Sequence, residues 1–259
     1  MTSRQLPVAP ALQDALALAE GAGRSAGSFL APEVQTWLAS PEQGLTSEIE
    51  LVRGADGAAE ALARLAPSTM TVVAIAPSER ACWAELVRRS DAAPETCVAG
   101  LTYDDAGAVS RLVWLRAPLV PATELDGRPD TPDARPVLEA YFADLMRSRF
   151  REAAAHFAVD TLYSHPPYAG GTERVLFASR EALCRGFADE RGASPVRQVV
   201  TGFWQRHDRA FLEGVIEGVP DGGTFFSTAQ ISAEGEIARY VAFYSGSRIP
   251  GGHQLAPAA

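Results

Sequence analysis

The sequence predicts an α+β protein made of two tandem copies of one plan, and three observations carry that expectation. Segments of the second half repeat segments of the first in the same order, each half passes from helical periodicity to a run of β-rich segments, and a proline-rich stretch lies between them. Gly107-Ala-Val-Ser-Arg111-Leu-Val-Trp-Leu115 matches Gly235-Glu-Ile-Ala-Arg239-Tyr-Val-Ala-Phe243 at an offset of 128 residues. The same offset carries Glu85 onto Glu213 and the turn at Pro77–Arg80 onto Gln205–Asp208. Upstream, Glu60-Ala-Leu-Ala-Arg64 matches Glu181-Ala-Leu-Cys-Arg185 at an offset of 121. One such match could be chance, whereas three in one order indicate duplication.

Taken in order, Leu12, Ala15, Leu16 and Ala19 form one apolar stripe at helical spacing, closed by Gly21 and Gly23. Short apolar runs follow at 34–38 and 49–52. Asp56 is placed to cap a helix over 57–65, with Pro67 beyond its end. The period then changes: 69–76, 81–87, 96–103 and 108–116 read as strands, joined by turns such as Pro77-Ser78-Glu79-Arg80 and Asp104-Asp105-Ala106-Gly107. Prolines at 118, 121, 129, 132 and 136 exclude a helix or an interior strand and mark a linker over 118–135. The expected domains are therefore 1–117 and 136–246, with a tail at 247–259. In the second, a helix over 137–157 leads to a short strand ending in Tyr163-Ser164-His165-Pro166-Pro167-Tyr168, a Gly170-Gly171 turn and a helix over 180–187. Strands at 196–206, 210–218, 224–232 and 236–245 follow. Phe225-Phe226 and the run from Tyr240 to Tyr244 are apolar on both faces, so both faces of this sheet should be covered.

Composition narrows the chemistry. The chain has 259 residues, 47% hydrophobic and 21% charged, with net charge −9, so attraction to nucleic-acid phosphates or anionic lipid is not expected. All of its basic residues are arginine. The absence of lysine excludes a lysine Schiff base and a Walker-type phosphate loop. Cys82, Cys97 and Cys184 show no metal spacing and read as small buried residues of a reducing compartment. With no apolar run of spanning length, the expectation is a soluble cytoplasmic protein without membrane contact.

The order helix, strand ending in His165-Pro166, turn, helix and four strands resembles the SnoaL-like, ketosteroid-isomerase-like members of the nuclear-transport-factor-2-like superfamily. The resemblance covers about 136–246 well and 10–117 poorly. It implies tandem cone-shaped units, each with N-terminal helices packed on a curved, mostly antiparallel sheet around one apolar pocket. Relatives pair sheet to sheet as homodimers, so the first copy could supply that partner as an intramolecular pseudo-dimer, with a further homodimer open. In the isomerases the general base is an Asp followed by Pro at the end of this strand, and a Tyr on the first helix donates to the developing oxyanion. By ungapped spacing His165 falls on the base and Tyr141 on the oxyanion donor. His in place of Asp leaves the reaction open.

Read from the residues alone, His165 is the strongest catalytic candidate. Two prolines restrict the backbone that carries it, and imidazole suits acid/base work at neutral pH. A ligand-orienting or structural role is the alternative, and Tyr141 could equally be a core aromatic. Tyr163 and Tyr168 flank His165, while Trp204, Glu213 and Glu217 lie on strands where one face meets the pocket, so these five are the substrate-binding candidates. The two glutamates could instead face solvent or pair with arginine. Of the other histidines, His207 sits at a hairpin tip, His253 in the tail and His156 late in the first helix. No cofactor or metal is expected. In the first copy the place of His165 falls near Ser40-Pro41, which makes that copy a degenerate site. The expected function is a cofactor-independent isomerase or cyclase acting on a small apolar carbonyl compound of natural-product biosynthesis, with a ligand-binding or assembly module as the alternative.

Overall fold

Each half of the chain builds its own six-stranded mixed sheet, and the strand orders correspond one to one. The computed structural model describes residues 29–39, 49–64, 69–89, 93–122, 130–168, 173–218, 222–245 and 249. The two units divide between Leu125 and Asp126, inside the proline-rich segment. The helix expected at 11–22, the residues Ser40-Pro41 and His253 lie outside the described residues.

The first unit contains β1 (Leu30–Ala39), β2 (Ile49–Arg53), α1 (Ala55–Arg64), β3 (Thr69–Pro77), β4 (Ala81–Arg89), β5 (Glu95–Tyr103) and β6 (Val109–Pro118). Its sheet runs β2-β1-β6-β5-β4-β3, with only β1 and β6 parallel. The apolar runs at 34–38 and 49–52, unassigned from sequence, are the paired strands β1 and β2. α1 buries Ala58, Ala61 and Leu62, the three-and-four spacing of a helix face. It opens at Gly54, whose φ of 81° lets the chain turn from β2 into the helix, so Asp56 sits in the first turn and not at the cap.

The second unit contains α2 (Arg135–Met146), α3 (Phe150–Ala155), β7 (Phe157–His165), β8 (Val175–Phe177), α4 (Arg180–Gly186), a π-helical turn (Phe187–Arg191), β9 (Arg197–Arg206), β10 (Arg209–Glu217), β11 (Gly223–Ile231) and β12 (Ile237–Ser245). Its sheet runs β8-β7-β12-β11-β10-β9, with only β7 and β12 parallel. The repetition extends to defects. The β3–β4 ladder skips Val73 and the β9–β10 ladder skips Thr201. The β5–β6 ladder skips Ser110, and β11–β12 skips Ala238. Both pairs of skipped residues are 128 apart, so the bulges that bend the two sheets are copies of one another.

Two expectations change here. The helix read over 137–157 is two helices, because the chain turns at Arg147-Ser148-Arg149, where Arg149 N–H and Arg147 N–H both return to the Asp144 carbonyl. Ser148 takes φ 56°, and the Asp144 carboxylate receives His156 Nε2 at 3.0 Å, tying α3 back on α2. No Gly or Pro announces this break. Phe157, read as the last residue of that helix, instead opens β7, and Asp160 is an exposed residue of the same strand. Ser148→Gly should raise stability by about 0.5–1 kcal/mol by removing the left-handed penalty of a side-chain-bearing residue. Chemical denaturation checks it; no gain would show that the turn is unstrained.

Both faces of the second sheet are shielded from solvent. Phe225 and Tyr240 on one face and Phe226 and Val241 on the other are all essentially inaccessible. No helix among the described residues is long and apolar enough to cross a membrane.

Candidate active site

Strand alternation decides which side chains can meet. The aromatic core of the second unit takes Ala210, Leu212 and Ile216 from β10, Phe225 and Ala229 from β11, and Tyr240 and Ala242 from β12. Gly202, Trp204, Phe211 and Glu213 lie on the other face: Trp204 pairs with Phe211 and Gly202 with Glu213. A Cβ at Gly202 would sit 2.4 Å from the Trp204 ring. Trp204 and Glu213 therefore turn away from the face that carries His165, contrary to the sequence expectation. Glu217 falls on the same far face of β10, half-exposed, 3.5 Å from Arg197. Period 2 could not say which face was which, because both are apolar.

The core face gathers the other candidates. Tyr163 and His165 alternate along β7, and their rings stack at 6.0 Å with planes 7° apart. Tyr168, brought round by Pro166-Pro167, lies 4.7 Å from the imidazole centroid. Tyr141 enters from α2, its ring 5.6 Å from Tyr240 and 5.0 Å from Phe157. The hydroxyls of Tyr141 and Tyr168 each stand 3.4 Å from that of Tyr163, a row of three buried phenols. Burial raises the pKa of each, so all three stay protonated donors.

His165 is held at both nitrogens. Its Nδ1 lies 2.6 Å from the Pro166 carbonyl oxygen, which can only accept, so Nδ1 carries the proton. Nε2 is then an acceptor, and the Tyr244 hydroxyl, 2.7 Å away, donates to it. The Gln198 amide donates to the same Tyr244 oxygen from β9. Burial, with smaller contributions from the Arg174 and Arg191 charges, pushes the imidazole down to about 3, against the Pro166 hydrogen bond. It is neutral at physiological pH, with its single lone pair directed at Tyr244.

Tyr244 and Gln198 were not identified from sequence. Tyr244 meets His165 across the parallel β7–β12 ladder, where Tyr163 pairs with Tyr240 and Ser164 with Val241. A contact between residues 79 apart on parallel strands leaves no local pattern. The usable signal was Tyr240 and Tyr244 flanking Ala242, two large residues and one small one on a single strand face. Ala242 is the neighbour of His165 in this register and leaves space for the ring.

Among solved structures the chain is similar to a proposed ketosteroid isomerase from Kribbella flavida, with 18% identity and TM-score 0.37, covering 50% of this chain and 94% of that one. It is similar to TerC co-crystallised with polyporic acid, at 14% identity and TM-score 0.36, over 43% of this chain and 91% of that one. A third is an NTF2-like protein of unknown function from Cytophaga hutchinsonii, at 13% and 0.34, over 44% and 90%. Other matched structures are described as NTF2-like or as having a cystatin-like fold, and each covers about half of this chain or a little less. No family model matches the chain, and no curated protein matches it.

The first unit has the same frame with other side chains at the corresponding positions. Leu38 pairs with Trp114 beside the parallel β1–β6 ladder, in the place that His165 and Ala242 occupy in the second. The correspondence thus falls on Leu38, two residues before Ser40. By the same registers Thr36 stands for Tyr163, Leu112 for Tyr240, Arg116 for Tyr244 and Met70 for Gln198. Trp114 is fully buried and occupies the space that Ala242 leaves open. Arg116 is engaged by Glu95 at 2.6 and 2.9 Å. Cys82 and Cys97 are buried free thiols of this unit, and burial pushes Cys97 up to about 12, which keeps it an unreactive thiol.

Proposed function

We propose that the second unit is a cofactor-independent acid/base catalyst of the isomerase or cyclase kind, acting on a small apolar carbonyl compound, and that the first unit is its inactive copy. The observation that supports it is the His165–Tyr244 pair: a neutral imidazole fixed in one tautomer, with its lone pair facing a protonated phenol inside an aromatic enclosure. When the substrate enters, the Tyr244 hydroxyl turns from Nε2 to the carbonyl oxygen, and Nε2 takes the proton from the adjacent carbon. The enolate oxygen is then stabilised by a donor in a dry site, where such a bond is strongest. Gln198 keeps the phenol aimed. Tyr141, the donor implied by the resemblance, is one phenol deeper and acts through the Tyr163 hydroxyl. A base held at so low a pKa suits an acidic C–H, such as one flanked by two carbonyl groups, and such compounds are typical intermediates of polyketide-like natural products.

A second reading, a ligand-binding or assembly module, draws support from the tyrosine row: three phenols bonded to one another fill space that a substrate would need. One experiment separates the two. Exchange of the acidic proton of aromatic 1,3-diketones for deuterium, followed by NMR, should be fast with the native protein and roughly 10²-fold or more slower with His165→Gln. Binding without exchange by either protein selects the module, and equal exchange by both removes His165 from the mechanism.

A further inference from the structure

The second unit holds a cavity that its aromatic core does not use. It measures about 510 Å³ and lies between α3, the first half of β7 and α4. Small ligands occupy spaces of this size. Ala154 and Ala155 of α3, Val159 of β7 and Cys184 of α4 give it an apolar lining, and Arg151 and Arg180 line it too. α4 turns Leu183 into the aromatic core and Cys184 towards the cavity, so this helix separates the two.

A strand irregularity supplies the apolar side chain. Phe157 pairs with Ile237 and Leu162 with Arg239, so residues 158–161 stand opposite Ala238 alone. β1 has the same irregularity, with residues 31–34 opposite Ser110, and in both copies the middle two residues of the bulge are exposed. The first copy shows Pro32 and Glu33 there, the second Val159 and Asp160. Val159, at 70%, is the most exposed large apolar side chain among the described residues. Thr161 fixes this bulge, its hydroxyl lying 3.0 and 3.1 Å from the carbonyl oxygens of Ile237 and Ala238. Arg180 fixes α4: its Nε donates to the Phe157 carbonyl at 2.5 Å and its Nη2 to Glu236 at 2.7 Å. The Asp144–His156 contact holds α3. Walls pinned on each side keep their shape without a ligand, which lowers the ordering cost of binding.

Charge narrows the occupant. Two of the three charged residues lining the cavity are arginines, and the third, Glu181, is bound by Arg185. A guanidinium beside an apolar surface is complementary to an apolar body that ends in a carboxylate. We propose that this cavity is a second ligand site, for a small molecule with an apolar body and one carboxylate. The body lies on Ala154, Ala155, Val159 and Cys184, and the carboxylate meets Arg151. The site does not depend on the chemistry of His165.

Cys184 provides the readout, because it is partly exposed in the cavity whereas Cys82 and Cys97 are buried and give the background. The full chain is alkylated with iodoacetamide, and the rate at Cys184 is followed by peptide mass spectrometry. The probe is 4-phenylbutyrate, with 4-phenylbutanamide as its uncharged counterpart. At ~5 mM the acid should slow alkylation of Cys184 roughly fivefold, as a Kd of ~1 mM for a ligand of this size implies. The amide should protect less. Arg151→Gln should remove most of the protection by the acid, and Arg151→Lys should recover part of it. Ala155→Trp, at an exposed position, should fill the cavity and slow alkylation with no ligand present. An unchanged rate at Cys184 with the acid, equal protection by acid and amide, or full protection in Arg151→Gln overturns the proposal. Protection that disappears in His165→Gln would place the acid in the aromatic core and overturn it as well. Protection that persists in His165→Gln supports it, whether or not that variant exchanges diketone protons.

Discussion

Titrated from neutrality into acid, the native protein should lose folding stability more steeply than its His165→Gln variant, by about 1.4 kcal/mol per pH unit. The sign follows from where each state takes up its proton. In the unfolded chain the imidazole protonates around 6.5, whereas in the folded protein burial delays it to about 3. Above 6.5 neither state binds the proton, and the contribution of His165 is fully present. As pH falls from 6.5 towards 3 only the unfolded chain binds it, and stability is lost through that window. At pH 5 the difference between the two proteins should reach about 2 kcal/mol. The groups facing the ring, Tyr163, Tyr168 and Tyr244, stay neutral throughout, because burial raises their pKa values. Groups common to the two proteins cancel in the comparison. Denaturant melts at stepped pH provide the measurement, and parallel curves would mean that His165 is open to water.

Gly214→Ala should destabilise the second unit by about 3 kcal/mol or more. A Cβ at this position would lie 2.2 Å from the Phe225 ring and 2.4 Å from the Val199 carbonyl oxygen. The ring could move only by displacing its neighbours in the aromatic core, and the carbonyl belongs to the bulged stretch of β9, whose register fixes it. Gly202→Ala is the comparison: its Cβ meets the Trp204 ring at 2.4 Å, but the nearest backbone does not crowd it. That variant should be hurt less. A Gly214→Ala protein as stable as the native one in guanidinium would show that β9 can shift at its bulge.

How far the sequence could be read depended on the range of the interaction. The limits of β3 to β6 and of β9 to β12 agree with expectation to within one to two residues, because turn chemistry and β-rich composition are local. His165 and Tyr163 were legible for the same reason, being fixed by the adjacent Pro166-Pro167. The break at Ser148 was not, since a serine at positive φ is imposed by the packing of α3 and by the Asp144–His156 contact. β8 escaped notice because three residues are too short to show a period. Trp204 and Glu213 went to the wrong face because burial of both faces erases the alternation that distinguishes them. Tyr244 and Gln198 depend on strand register, which only the folded chain reveals.

The parallel pairing of β7 with β12 also bears on how the protein is made. β7 leads the second unit's sheet and β12 is the last of its strands, so the first strand synthesised waits for the last before its inner edge is paired. Closing a loop of this length slows folding and leaves an open edge meanwhile. On a ribosome His165 would emerge well before Tyr244, and the pair would form only as the sheet closes. The contact between His165 and Tyr244 thus forms in the final step of folding, when the strands between them are already in place.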